Sequence, residues 1–345
     1  MKNSKDLILD AFNGQQNSQV PIWFMRQAGR YLPEYRKFRE GKTFEEMAMT
    51  PENAAKVTLQ PIRRYDLDAA IIFSDILIPL YGMDRGLEIV PQVGPVLEKP
   101  LKNPEDVKSL KRTSPKEDFP YLKESIQLVR KEIPDKALFG FAGAPFTLAS
   151  YLIEGKSTRN ALLTKTFAYK YPDEFSTLLN MLADIVIDQL QVQIEGGADV
   201  IQLFDSWAGF LSASQYEKWI LPHVQKIFLK FDNTPNILYG RGSSHLLPIF
   251  QKSGAKGISI DSTLSLIDAR SFVGNDLVIQ GNLDPAVLLT NPRIVENHTK
   301  EVLKDYTLTN NPRYIFNLAQ GIDKTSKLEN VEMMINTVKE FRLEE

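Results

Sequence analysis

The sequence predicts an α/β fold, a distorted (β/α)8 TIM barrel built as a single domain over residues 1–345. Three observations carry that expectation. Eight short apolar runs are separated by stretches long enough for amphipathic helices. The runs lack polar alternation, as strands do when helices cover both faces of a parallel sheet. Polar residues gather just downstream of the runs, where a parallel barrel opens its active face. An open doubly wound sheet is the competing architecture. It calls for a glycine-rich phosphate turn after the first strand, and Arg26-Gln27-Ala28-Gly29 stands there instead.

The runs, in order, are Pro21–Met25, Ala69–Phe73, Ala137–Phe141, Asp199–Phe204, Asn236–Tyr239, Gly257–Ile260, Asp276–Gln280 and Tyr314–Phe316. Between them, Leu122, Ile126, Val129 and Ile133 recur at helical spacing. So do Leu179, Leu182, Val186 and Leu190, and again Leu328, Val331, Ile335 and Val338. Gly196-Gly197 stops the helix that begins near Pro172. Strand starts lie far apart in the first half of the chain, so insertions belong on the early βα loops. One of them, Gly86 to Pro100, carries Ile89, Val93 and Val96 around Gly94-Pro95 and reads as a hairpin flap. No linker, low-complexity tract or charge run marks a domain boundary.

Composition narrows the function classes. The chain has 345 residues, 43% hydrophobic and 24% charged, with a net charge of −2. A general nucleic-acid binder needs a basic surface, so any anion site here is local. No apolar run reaches the length of a membrane span, and the first residues lack an apolar signal core, so a cytoplasmic protein is expected. With no cysteine, thiolate nucleophiles, disulfides and zinc-thiolate sites are excluded. Three scattered histidines argue against a transition-metal site.

The first run leads into the densest cation cluster. Arg26, Arg30, Arg36, Lys37 and Arg39 face one acid, Glu34, over Pro21–Arg39. Gly29 and Pro33 delay a regular helix, leaving a loop that presents guanidinium forks to a polyanion, with Trp23, Phe24, Met25, Tyr31 and Tyr35 interleaved. A surface loop of solvated arginines is the ordinary alternative.

Other strand ends supply Ser74-Asp75, Asp205-Ser206, Asp261, Asn282 with Asp284, and Asn317 with Gln320. The loop after the third run adds Thr147, Ser150, Tyr151 and Glu154. Asp75, Asp205 and Asp284 also suit helix N-caps, although Asp75 is followed by Ile76-Leu77-Ile78-Pro79, an unusual first helical turn. Ser206 has no nearby histidine to activate it, so a hydrogen bond suits it better than nucleophilic attack. Tyr151 fits a packed aromatic or a ligand contact equally. His223 and His298 read as helix residues, and His245 as a residue that orients a loop.

The motifs WFMRQAGRYLPEYR, IIFSDIL, GFAGAPFTLASYLIEG, QLFDSWAG and QGNLDP, in this order from Pro21 onward, resemble the uroporphyrinogen decarboxylase family of tetrapyrrole biosynthesis. The resemblance implies a distorted (β/α)8 barrel that works as a homodimer without metal or cofactor. The implied substrate is uroporphyrinogen III and the product coproporphyrinogen III. It also implies that Arg26, Arg30 and Arg39 hold or activate substrate carboxylates, that Asp75 faces the pyrrole N–H groups, and that Tyr151 and Ser206 line the cleft. Two positions depart from the family pattern. Gln320 stands where the family has a histidine, and Ser262 follows Asp261 where a tryptophan is usual. The competing functions are a non-catalytic tetrapyrrole carrier, which Gln320 favours, and a cobamide-linked methyltransferase on the same barrel, which the absence of cysteine disfavours.

Overall fold

A computed structural model of the chain describes residues 3–90 and 93–342. Seven of the eight expected strands form one parallel sheet. They are β1 (Ala69–Ile71), β4 (Ala137–Gly143), β5 (Val200–Asp205), β6 (Asn236–Gly240), β7 (Gly257–Ser259), β8 (Val278–Leu283) and β9 (Tyr314–Leu318), paired in that order. All are buried apart from Phe204, so the lack of polar alternation does mark strands covered on both faces. The flap forms too, as an antiparallel pair of β2 (Leu87–Val90) and β3 (Gly94–Leu97), with Val90 opposite Gly94.

The closed eight-strand barrel does not form. The first run, Pro21–Met25, makes a single parallel bridge, Ile22 to Phe316, and no regular strand. Its backbone groups are satisfied differently. The Phe316 N–H donates to the Pro21 carbonyl at 2.9 Å, while Pro21 itself has no N–H to give. On the other edge, the Asp68 carboxylate takes the Ile22 N–H at 2.8 Å. Asn317 Oδ1 accepts from the Met25 N–H at 3.1 Å, and Gln27 Oε1 accepts from the Phe24 N–H at 3.3 Å. Side chains thus take three of the segment's N–H groups, while the Trp23 N–H still donates to the Phe316 carbonyl at 3.4 Å and the Asp68 N–H to the Ile22 carbonyl at 2.9 Å, and this extended segment spans the curled sheet between β9 and β1.

The space inside the curl holds polar as well as apolar groups. Trp23 Nε1 donates to Gln280 Oε1 at 3.0 Å, and Gln280 Nε2 donates to Gln202 Oε1 at 3.1 Å and Ser259 Oγ at 3.0 Å. Trp23 packs on Phe139 with ring centroids 4.4 Å apart. These buried amides are paired with one another, as desolvated polar groups must be. Helices cover the outside. Tyr121–Glu132, Pro172–Gly196 and Leu328–Glu340 match the three apolar stripes, and Gly197 ends the second in the left-handed conformation that glycine adopts without cost.

Candidate active site

The loop that follows Met25 is shaped by its own sequence. Arg26 takes φ +63°, a left-handed conformation uncommon for a residue with a Cβ, and a turn from the Phe24 carbonyl to the Gln27 N–H follows. Gln27 is buried and donates to the Ala69 carbonyl of β1 at 3.1 Å. At Gly29 a Cβ would come within 2.9 Å of the Arg26 carbonyl, so only glycine fits. Arg36 Nη1 donates to the carbonyls of Arg30 and Tyr31, both at 2.9 Å. Of the five cations, Arg36 therefore braces the loop. Arg26, Arg30 and Arg39 are exposed and make no ion pair among the described residues. Glu34 is taken by Arg64 at 2.7 Å, so the one acid of the cluster does not neutralise them.

Asp75 stands beyond β1. Its Oδ1 accepts the Leu77 N–H at 3.0 Å, fixing the carboxyl in an Asx turn rather than capping a helix, since the cap of the following helix Ile78–Tyr81 is Leu77. The loop rests on Gly143 of β4, where a Cβ would lie 2.9 Å from the Ile76 carbonyl. Burial pushes the Asp75 carboxyl above its ordinary value, against the Leu77 and Ile76 N–H groups and the positive charge of Arg26, which pull it down. Asp75 and Arg26 also act on Tyr151. Burial and the Asp75 charge push that phenol up to about 12, and Arg26 works the other way.

Tyr151 is therefore both a packed aromatic and a cleft residue: its ring lies on Trp207 with centroids 4.3 Å apart. Ser206, half-buried beside Trp207, makes no hydrogen bond to a described residue. Gln320 is half-buried past β9 with its amide likewise uncommitted. Next to it, Gly321 is crossed by the Arg26 side chain, and a Cβ there would lie 2.5 Å from Arg26 Cδ. Arg26, Asp75 and Tyr151 thus lie near one another, and Gln320 adjoins the glycine that the Arg26 side chain crosses. Arg30 and Arg39 lie together farther out, both close enough to Tyr35 to lower its pKa while burial raises it.

Several residues of the cleft carry no sequence motif. Tyr81 and Tyr121 are both pushed well up by burial, with the Asp75 charge adding to it. Tyr239, on β6, is pushed up to about 12 by burial while Arg241 and Arg26 oppose the shift. The signal available was only that Tyr239 lies within a strand; Tyr81 ends the short helix Ile78–Tyr81. Of the remaining candidates, Asp284 is an N-cap, accepting from the Ala286 N–H at 2.9 Å. Glu154 accepts from Thr164 and so serves a helix start. His245 holds the Leu211 carbonyl at 2.8 Å, orienting its loop, and His223 and His298 lie on helices.

Asp205 is not a cap. It is fully buried at the end of β5, and its Oδ1 accepts from Thr147 Oγ1 at 2.9 Å. Burial pushes its carboxyl up to about 7, with Thr147 and the Tyr216 hydroxyl pulling back. A carboxyl whose folded pKa exceeds its unfolded value of 3.8 holds its proton longer in the folded chain, so it costs stability as pH rises from about 4 through about 7. Asp205→Asn keeps the acceptor for Thr147 and removes that cost. The variant is expected to melt higher than the parent at pH 8, by up to a few kcal/mol, roughly, with the gap shrinking toward pH 5. Melting curves at the two pH values check it; a gap that does not change with pH would mean that Asp205 does not titrate.

A family model described as uroporphyrinogen decarboxylase (URO-D) matches residues 3–341. Uroporphyrinogen decarboxylase of Carboxydothermus hydrogenoformans is 40% identical over 339 residues, covering 97% of this chain and 96% of that protein. The Streptomyces avermitilis protein of the same name is 43% identical over 321 residues, covering 92% and 90%. Among solved structures, a methyltransferase from Methanosarcina mazei superposes with a TM-score of 0.81 at 19% identity, covering 99% of both chains. At that identity the likeness speaks for the fold alone.

Proposed function

The chain belongs to the uroporphyrinogen decarboxylase family, and from that premise we propose that it removes carbon dioxide from the four acetate side chains of uroporphyrinogen III, leaving methyl groups and giving coproporphyrinogen III. It is on this reading a carboxy-lyase of porphyrin biosynthesis, working in the cytoplasm as a homodimer and without a cofactor. No helix among the described residues is long and apolar enough to cross a membrane. The observation that carries the site assignment is the juxtaposition of Arg26, Asp75 and Tyr151 in one cleft, each electrostatically coupled to the others.

The chemistry follows from that arrangement. Substrate carboxylates need cations that protein acids have not already paired, which describes Arg26, Arg30 and Arg39. Pyrrole N–H groups need an acceptor. Asp75, fixed by the Leu77 N–H on its Oδ1, is the carboxylate placed to take them. A proton added to the ring carbon bearing an acetate arm leaves positive charge on the pyrrole. The bond to the carboxylate then breaks, carbon dioxide leaves, and its electron pair neutralises the ring. A proton gained at the exocyclic carbon and one lost from the ring restore the pyrrole with a methyl group. One proton is consumed per carbon dioxide. Asp75 is the fixed negative charge that faces the cationic intermediate, and Tyr151 and Ser206 line the cavity around the reacting arm.

Anaerobic incubation with uroporphyrinogen, followed by counting carboxylates on the oxidised porphyrins, tests the reading. Stepwise loss of acetate carboxyls is expected; an unchanged octacarboxylate would leave only a carrier. Gln320 supplies a sharper question. Its amide can donate to a propionate but does not titrate near neutral pH. As a positioning group it makes the unsubstituted protein active, and Gln320→His should change kcat/KM by no more than about tenfold, the worth of one modest hydrogen bond. Rescue of an inactive parent by several orders of magnitude would assign proton transfer to this position.

A further inference from the structure

Outside the cleft, the arginine loop borders a surface pocket of about 530 Å³. It is lined by Arg30, Arg36, Arg39, Glu40, Lys324 and Thr325. Four cations and one acid share it. One wall is the arginine loop and the helix Pro33–Arg39, and the other is the loop that leaves β9. Lys324 comes from the second wall and from no motif, and it makes no ion pair or hydrogen bond among the described residues. Its neighbour Asp323 forms no ion pair with it among the described residues, and that carboxylate accepts from the Thr325 N–H at 2.8 Å and the Thr325 hydroxyl at 2.5 Å. Those bonds hold Asp323 below its ordinary value, and Lys324 and Arg30 both add to the shift, so cations of the two walls bear on the same point.

We propose that this pocket is a second carboxylate-docking site, in which Lys324, opposite Arg30 and Arg39, holds a peripheral carboxylate of the tetrapyrrole while another arm reacts beside Asp75. The inference rests on the decarboxylase reading and adds a ligand to it. A substrate with carboxylates around its whole rim cannot satisfy them at Arg26 alone. Arg30 belongs to the same short loop as Arg26, so a macrocycle held at the cleft projects its remaining arms toward the pocket. The four cations outnumber Glu40 and the adjacent Asp323, and a polyanion relieves the remaining repulsion on binding. Because Lys324 is exposed, the contact it adds is modest and salt-sensitive, suited to capture and orientation and not to bond breaking.

Steady-state kinetics of Lys324→Ala and Lys324→Glu, alongside fluorescence titration with uroporphyrin, the oxidised octacarboxylate, test the pocket. KM is expected to rise about fivefold for the alanine variant and further for the glutamate variant, with kcat within about twofold of the parent. The salt dependence of kcat/KM should weaken in Lys324→Ala. Uroporphyrin affinity should fall in the same order, a readout that needs no turnover. A parent without decarboxylation whose uroporphyrin binding still weakens on Lys324→Glu would sink the enzymatic reading and keep the pocket. Unchanged KM and unchanged uroporphyrin binding in both variants, or no binding by the parent, would overturn the pocket.

Discussion

Asp75→Asn should cost about a hundredfold to a thousandfold in kcat while moving KM by no more than a few-fold. Asparagine has the shape of aspartate, and its Oδ1 can still accept the Leu77 N–H that fixes the turn. What disappears is the charge that faces a protonated pyrrole. Such preorganised electrostatics act on the transition state more than on the bound substrate, hence the split between kcat and KM. The pH dependence gives an independent check. Burial raises the Asp75 pKa, so the parent's kcat should fall as pH drops through a value above the ordinary carboxylate range. In stability the same shift has the opposite sense: a folded pKa above the unfolded one makes the ionised group a cost at neutral pH. The asparagine variant should therefore melt no lower than the parent near pH 7. An activity loss accompanied by an equally large fall in melting temperature would make Asp75 a structural residue.

Arg26→Ala is expected to lower kcat/KM for uroporphyrinogen by about a hundredfold or more, and Arg30→Ala by a similar factor, the scale of truncating one member of a desolvated charge pair. Neither arginine braces the fold, since Arg36 performs that task through the carbonyls of Arg30 and Tyr31. The backbone at Arg26 allows a clean control. At φ +63°, glycine relieves a strain that alanine keeps, so Arg26→Gly should melt at or above the parent and yet lose activity like Arg26→Ala. Near-parental kinetics in all three variants would remove the loop from the binding site.

Much of this was legible because the strands are buried on both faces, which writes them into the sequence as continuous apolar runs with polar residues at their ends. Arg26 and Asp75 stand out for that reason. Barrel closure was not legible, because Pro21–Met25 looks like any other run. The pairing of its N–H groups with the side chains of Gln27, Asp68 and Asn317, the last two far away in sequence, interrupts the ladder. Asp205 and Asp75 likewise look alike at the ends of their strands. What separates them is enclosure by Thr147 and Tyr216, a long-range fact. Tyr121 comes to the cleft from an outer helix, where a period of apolar positions says nothing of a phenol's direction, and Lys324 lies in a loop with no periodic signal at all.

A ladder of backbone hydrogen bonds is nearly indifferent to a slip of two residues, since every second rung repeats the last. The segment that carries Arg26 toward the cleft is held partly by side chains, the Asp68 carboxylate on the Ile22 N–H and the Gln27 and Asn317 carboxamides on the Phe24 and Met25 N–H groups. Asp68 is itself tied to Ser4 at 2.9 Å and to Lys339 at 2.6 Å, so that recognition is anchored from both ends of the chain. An interrupted strand thereby gains contacts that belong to single side chains, and the position from which the Arg26 guanidinium leaves the sheet is set by both ends of the chain as well as by its neighbouring strands.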